Sequence, residues 1–290
     1  MANASTAVRE QLIAQHLQSA AGRQMLASSM TQPLRTRRDY TSVARKAFLV
    51  ENLPQGALAI YDKDPDVTAY VVGEEGENIL SVTKPRRVHV PLFEIASNPE
   101  IPLTQIQERR FDLIDRAQEL ARAEIQAAED ERAFAIMDAV ATNGYDSITG
   151  LNQTVSVVAP ISSGVLADAF KEIEKHDLKV ERIFINAADY ADFRKFGRDI
   201  LDPETQRVLF NSGVIGTLWQ AAVITSRLVP AGTVYLTCSP EFFGRIPVRQ
   251  DLTVISADNP HARTVGFSIF ENLGIACHNP RGLARLSVTR

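Results

Sequence analysis

Histidine, cysteine, serine and paired carboxylates are where catalysis or metal binding would first show, and here they do not converge on a site. The five histidines, His16, His89, His176, His261 and His278, are scattered. None stands four residues from another, the spacing that sets two imidazoles on one helical face for zinc. Cys238 and Cys277 lack CxxC spacing and read as buried, reduced side chains. Neither GxxxxGKS/T nor GxGxxG occurs, so no loop is built to cradle phosphate. GxSxG is absent too, which removes the nucleophile elbow of a hydrolase; Ser162 and Ser163 before Gly164 read as a helix entry. Asp189 and Asp192 follow a predicted strand and imitate a catalytic pair at its end. With Asn186 as N-cap they read instead as acids at a helix N-terminus. No catalytic residue, cofactor or metal is expected. An enzyme with an α/β domain between residues 150 and 240 is the competing reading, and it needs a site that the sequence does not offer.

Charge is more informative. The net charge of −4 gives no global basic field for nucleic acid, yet the sign is strongly segregated. PLRTRRDYTSVARK (33–46) sets Arg35, Arg37, Arg38, Arg45 and Lys46 against Asp39 for a net +4. Asp62, Asp64, Asp66, Glu74, Glu75 and Glu77 against Lys63 give a net −5. The basic segment reads either as a solvated linker or as an arm that docks on an acidic surface. All of these but Asp39, twelve charged residues, are the candidate contacts between subunits. Tyr40 is the basic segment's one aromatic, so base recognition is not indicated, and a nonspecific contact to polyanion is the most it offers.

The length of 290 residues and 45% hydrophobic content suit about two soluble globular domains. No apolar run approaches the ~18 residues of a membrane span, and use in the cytoplasm is expected. The Arg- and Ser-containing stretch 1–38, with Glu10 as its single acid, has an organellar transit peptide as its alternative reading.

The elements that position these groups are uneven. Val8, Leu12, Leu17, Ala20 and Ala21 mark a thin amphipathic helix over 6–28. ALAIY (57–61) and VTAYVV (67–72) flank DKDPD and predict a hairpin. A third extended run, Ile79 to Ile95, carries Pro85 and Pro91 and belongs at a sheet edge. A capping box of Thr104 with Gln107 then opens a helix without Gly or Pro over 104–141, stopped by Asn143-Gly144. At 1.5 Å per residue it would run about 57 Å. Its expected packing stripe is Ile114, Ala117, Ala121, Ile125, Ala128, Ala133, Ile136 and Val140. That stripe is too Ala-rich for a coiled coil and fits packing on a sheet. Asp112 with Arg116 and Glu119 with Arg122 are expected helix-surface pairs. From Gly164 helix and strand alternate: LADAFKEIEKHD, VERIFI, LWQAAVITSRLV and GTVYLTCS, then LTVISA, TVGFSIF, GIACHN and PRGLARLSV. The class is α+β with mixed sheets. An arm, a projecting acidic loop and an overlong helix are poorly buried alone and make sense where neighbours in a closed shell cover them.

This order resembles the tailed-bacteriophage major capsid fold, shared with encapsulins and herpesvirus capsid floor domains. The most similar wording is GTLWQAAVITSRLVPAGTVYLTCSPEFFGRIPVRQDLTVI (216–255), with its turn at Val229-Pro230-Ala231-Gly232, and FENLGIACHNPRGLARL (270–286). The resemblance implies an N-terminal arm over 1–42 and an extended β-hairpin loop with flanking strands over 43–98. It implies a peripheral domain with a long spine helix over 99–148, completed by about 250–275, and an axial α/β domain over 149–250, completed by about 276–290. The implied role is a non-enzymatic subunit that assembles with itself into pentamers and hexamers of an icosahedral phage head enclosing double-stranded DNA. The implied place is the virion capsid, assembled in the host cytoplasm. An encapsulin-like nanocompartment shell is the alternative. Some members crosslink a loop Lys to a neighbour's Asn with help from a Glu. Lys63 and Glu271 match by position, but Thr264 stands where the Asn would be, so no crosslink is expected. No long N-terminal extension precedes the fold, which implies a separate scaffolding protein. A portal, a decoration protein and packaged DNA are the other implied partners.

Overall fold

A computed structural model describes residues 42–54, 56–63, 86–102, 104, 113–143, 153–196, 216–259 and 261–289. Its strands run β1 (Leu49–Asn52), β2 (Ile60–Lys63), β3 (Arg86–His89), β4 (Phe93–Ser97) and β5 (Glu100–Pro102) before the long helix α1 (Leu113–Asn143). Then come β6 (Thr154–Val157), α2 (Ser163–Glu174), β7 (Val180–Asn186), α3 (Tyr190–Phe193), β8 (Thr217–Leu218), β9 (Ala221–Ser226) and β10 (Thr233–Cys238). The chain closes with α4 (Pro240–Phe243), β11 (Gly244–Ser256), β12 (Thr264–Leu273), β13 (Ala276–Cys277) and β14 (Leu283–Val288). It divides into a unit of 1–40, 96–125 and 253–270 and a larger unit of 41–95, 126–252 and 271–290. The α+β class holds.

The larger unit is organised by a mixed sheet in the order β6-β14-β10-β7-β9-β8. Strand β10 is buried at every residue, which requires cover on both faces. The C-terminal half of α1 supplies one cover. The Phe134 ring lies 5.9 Å from Phe184 and 6.1 Å from Tyr235, and the Tyr235 hydroxyl donates to Asp138 at 3.0 Å. Helix α2 supplies the other through Leu166, Ala169, Phe170 and Ile173. As the sequence indicates, Ser162 enters α2 as its N-cap, accepting the Val165 amide at 3.5 Å.

Helix α1 is 31 residues, about 46 Å long. It ends at Asn143, beside the predicted stop. Its opening is less fully seen: Thr104 is helical, while Gln107 and Asp112 lie outside the described residues, as does the Ile114 side chain. Glu119 pairs with Arg116 at 2.8 Å, not with the expected Arg122. The packing face also differs. Ala121, Ile125 and Ala133 are buried as expected, but Phe134, Met137 and two acids, Glu129 and Asp130, are buried with them, whereas Ala117, Ala128, Ile136 and Val140 are half-buried. Charges inside the buried stripe break the apolar period that sequence reading follows.

The Pro230 turn between β9 and β10 forms as expected and is pinned from two sides. The Gly232 amide donates to Asp189 at 2.6 Å, and its carbonyl accepts from Val288 at 2.7 Å. Asp189 and Asp192 are thus structural staples, Asp192 accepting the Ile161 amide at 3.4 Å. Asn186 does not cap α3. Its Oδ1 accepts the Ala188 amide at 2.9 Å and its side-chain amide donates to Val229, because β7 runs to Asn186 and the chain turns before the helix starts. LWQAAVITSRLV is split into β8 and β9 by Trp219 and Gln220, both with positive φ, 48° and 69°.

Also in the larger unit, β1 runs parallel to β11 from Leu49 opposite Arg245 to Asn52 opposite Val248. From the first strand of the expected hairpin, β2 pairs antiparallel with β3, Ile60 opposite His89 and Lys63 opposite Arg86. Residues 67–72, the expected partner, lie outside the described residues, as does the amphipathic stretch 6–28. Asp62 and Lys63, read as turn, are strand. The hairpin's base is fixed where Arg245, paired with Glu51 at 3.2 Å, lies over the Tyr61 ring at 5.1 Å. In the smaller unit β5 pairs antiparallel with β12, Thr264 opposite Pro102, and Asn259 and Thr264 exchange backbone bonds of 3.1 and 3.2 Å.

Gly232 has φ +74°, and a Cβ there would stand 2.6 Å from the Val288 carbonyl oxygen. Gly232→Ala should therefore destabilise the protein by about 2–4 kcal/mol, read as a lower urea midpoint at unchanged m-value.

Candidate functional site

The most concentrated charge among the described residues lies where residues 42–46 meet α1. Residues Ala44–Lys46 form one short 3-10 turn, and its open amides are capped from a distance. Asp130 accepts Ser42 Oγ at 2.8 Å, the Val43 amide at 2.8 Å and the Ala44 amide at 3.1 Å. That satisfies donors that a short turn cannot satisfy itself. One residue on, Arg45 reaches inward. Its Nε donates to both oxygens of Glu129 at 2.9 and 3.1 Å, its Nη2 to Glu271 at 3.2 Å and its Nη1 to Asp251 at 3.5 Å. Glu129 and Glu271 are 0% and 1% exposed, whereas Asp251 is 73% exposed at the rim.

The electrostatics follow from burial. Desolvation, then the charge of Glu129, pushes Glu271 up to about 7 against the opposing pull of Arg45. Burial also raises Glu129, again opposed by Arg45. Oε1 of Glu271 is buried without a hydrogen-bond partner. The arrangement joins the N-terminal turn, α1, β11 and β12 through one planar fork of donors, the geometry that guanidinium supplies and ammonium does not. Burial pushes the Cys238 thiol up to about 11 and Cys277 to about 12. Both cysteines are free thiols, far from the thiolate form that reacts.

The predicted contact residues separate. Arg45 is committed within its own chain, and Lys46 beside it is exposed. Asp62 is exposed and pairs with Arg87 across the β2–β3 hairpin at 3.0 Å. The backbone of Lys63 closes that hairpin, and its side chain lies outside the description. Arg35, Arg37, Arg38, Asp64, Asp66, Glu74, Glu75 and Glu77 lie outside the described residues. Thr264 donates to Glu100 at 3.4 Å. Sequence reasoning missed Glu129, Asp130 and Asp251 as a group; two adjacent acids in the middle of an Ala-rich stripe were the available signal.

A model of the phage capsid protein family matches residues 101–286, well over half of the chain. The chain belongs to the phage capsid protein family. The capsid protein's fold is also that of solved shells. It is similar to the capsid of cyanophage P-SCSP1u at TM-score 0.70 and 10% identity, covering 90% of this chain and 92% of that one. The mature capsid of bacteriophage PhiM1 matches at TM-score 0.67 and 9% identity over 90% and 91% of the two chains. The capsid of an empty GTA particle matches at TM-score 0.62 and 17% identity over 90% and 95%. No curated relative matches. The tailed-phage capsid fold expected from the sequence is thus present, and the capsid protein is a structural subunit of a phage-type shell; the encapsulin alternative is not favoured.

Arg45→Ala leaves Glu129 and Glu271 buried without their shared counter-charge. It should cost the capsid protein roughly 3–5 kcal/mol, with Arg45→Lys recovering only part because an ammonium cannot span the same carboxylates. Urea unfolding of the variants side by side checks both.

Proposed function

We propose that this chain is the major capsid protein that builds pentamers and hexamers of an icosahedral phage head around double-stranded DNA. The observation that carries the finer reading is the start of the extended hairpin. Leu58 and Ile60 are 65% and 45% exposed, on a segment held to its own body by backbone bonds and by the Arg245–Tyr61 contact. Apolar side chains left in water on a projecting strand are cover for, and covered by, a neighbour. The acidic run from Asp62 to Glu77 then lies over an adjacent subunit and meets its basic segment. Because Arg45 is occupied internally, Arg35, Arg37, Arg38 and Lys46 carry that attraction. Opposite charges of this kind steer docking and fix register more than they add affinity. The wider partners we assign are a scaffolding protein, a portal, a decoration protein and nonspecific contact with packaged DNA.

Reversing Arg35, Arg37 and Arg38 to Glu should leave the subunit folded by circular dichroism and abolish shells in electron micrographs. Normal shells from that variant would remove the electrostatic contact from the proposal. Wild-type protein that stays monomeric at all concentrations, even with scaffold, would remove the assembly reading itself. With Thr264 hydrogen-bonded to Glu100 where an Asn amide would be needed, and Glu271 turned to Arg45, no isopeptide crosslink forms. Shells boiled in detergent should run as a single monomer band, and a ladder of covalent oligomers would contradict this.

A further inference from the structure

The Arg45 cluster does more than a structural ion pair requires. Two buried carboxylates, Glu129 and Glu271, face one guanidinium, so the dry part of the site carries excess negative charge when both are ionised. Such a site relieves itself by taking up a proton rather than by holding the second anion. Glu271 Oε1 has no hydrogen-bond partner, and leaving a neutral oxygen unpaired in the interior costs less than leaving an anionic one. Glu129, by contrast, takes two bonds from Arg45 Nε. The site therefore has one carboxylate committed to the cation and one that can give it up.

We propose that Glu271 is a proton-binding site whose occupancy decides whether Arg45 ties β12 to α1 or holds α1 alone. Without the proton, the guanidinium bridges Glu129 and Glu271. When a proton from water adds to the Glu271 carboxylate, the charge that held Nη2 at 3.2 Å is gone, and Arg45 stays on Glu129. Loss of the proton to water restores the bridge, and no bond other than O–H forms or breaks. The other charged groups facing the site are Asp130 on α1 and Asp251 on β11. Asp130 is taken up with Ser42, Val43 and Ala44, and Asp251 is at the solvent rim, where water screens it. Burial, then the charge of Glu129, puts the exchange near neutrality, at about 7. Because the folded value lies above the ordinary carboxylate range, the stabilisation from binding this proton is complete below that range. It is lost as pH rises through about 7. The proposal does not rest on the assembly reading, since every group in it belongs to one chain.

The test uses the full-length protein. Difference infrared spectroscopy should show a protonated carboxyl band that titrates with a midpoint near neutrality and vanishes in Glu271→Gln. Because opening the end of β12 returns Glu271 to the ordinary carboxylate range, hydrogen exchange there, corrected for intrinsic rates, should slow severalfold as pH falls through that midpoint. Glu271→Gln, neutral at every pH, should show the slow rate on both sides of it. Asp251→Asn, a change at an exposed site, should keep the fold and lower the midpoint slightly, which keeps the assignment open to test if Glu271→Gln does not fold. A carboxyl titration confined to the ordinary acid range, a neutral band unmoved in Asp251→Asn, or pH-independent exchange at β12 would each overturn the proposal.

Discussion

A guanidinium keeps its charge in places where other cations give theirs up, and this capsid protein uses that property to let a helix bury acids. Glu129 and Asp130 sit on the inner face of α1 between apolar turns, Ile125 on one side and Ala133 and Phe134 on the other. Neither could stay there unpaired. Arg45 answers Glu129, and the amides of the adjoining turn answer Asp130. The same short segment, Ser42 to Arg45, thus satisfies both acids. That reciprocity locates the Ser42–Arg45 segment on α1 to within one residue.

From that point the packing follows. With the acids fixed, Phe134 is carried onto Phe184 and Tyr235, and Asp138 comes within reach of the Tyr235 hydroxyl and of Arg285 at 3.2 Å. A greasy face of Ala and Met alone would slide along the sheet with little penalty, whereas polar anchors at Glu129, Asp130 and Asp138 allow one setting. The desolvation cost of burying ions means that such anchors need not raise net stability. Their value here lies in register, one setting of α1 on the sheet.

Much of this was legible in the sequence. Strands rich in β-branched residues between clear turns, such as VERIFI and GTVYLTCS, fold where they were expected, as does the stop of α1, because local chemistry decides them. The Pro230–Gly232 turn was legible for the same reason. What was not legible depends on distance along the chain. Arg45 stands in a basic stretch that looks like a solvated arm, and its partners are 84, 206 and 226 residues away. The acids in α1 disrupt the very periodicity used to find its buried face. Asn186 has the right type for an N-cap, but a local turn to Ala188 and a tertiary bond to Val229 outcompete the helix that it was expected to start. The pairing of β2 with Arg86–His89 was not foreseen because hairpin pairing was assigned to the nearest apolar run.

The order of strands in the mixed sheet also sets a timetable. Strand β14 is the last made of the described strands, yet it lies between β6 and β10, parallel to one and antiparallel to the other. A chain folded only as far as β13 therefore holds a sheet with a gap in its interior, and β6 cannot join β10 until β14 is in place. Pairings of such long sequence separation form late. Until β14 takes its place the sheet has no finished surface to offer to other copies, so completing the subunit and using it are separate events.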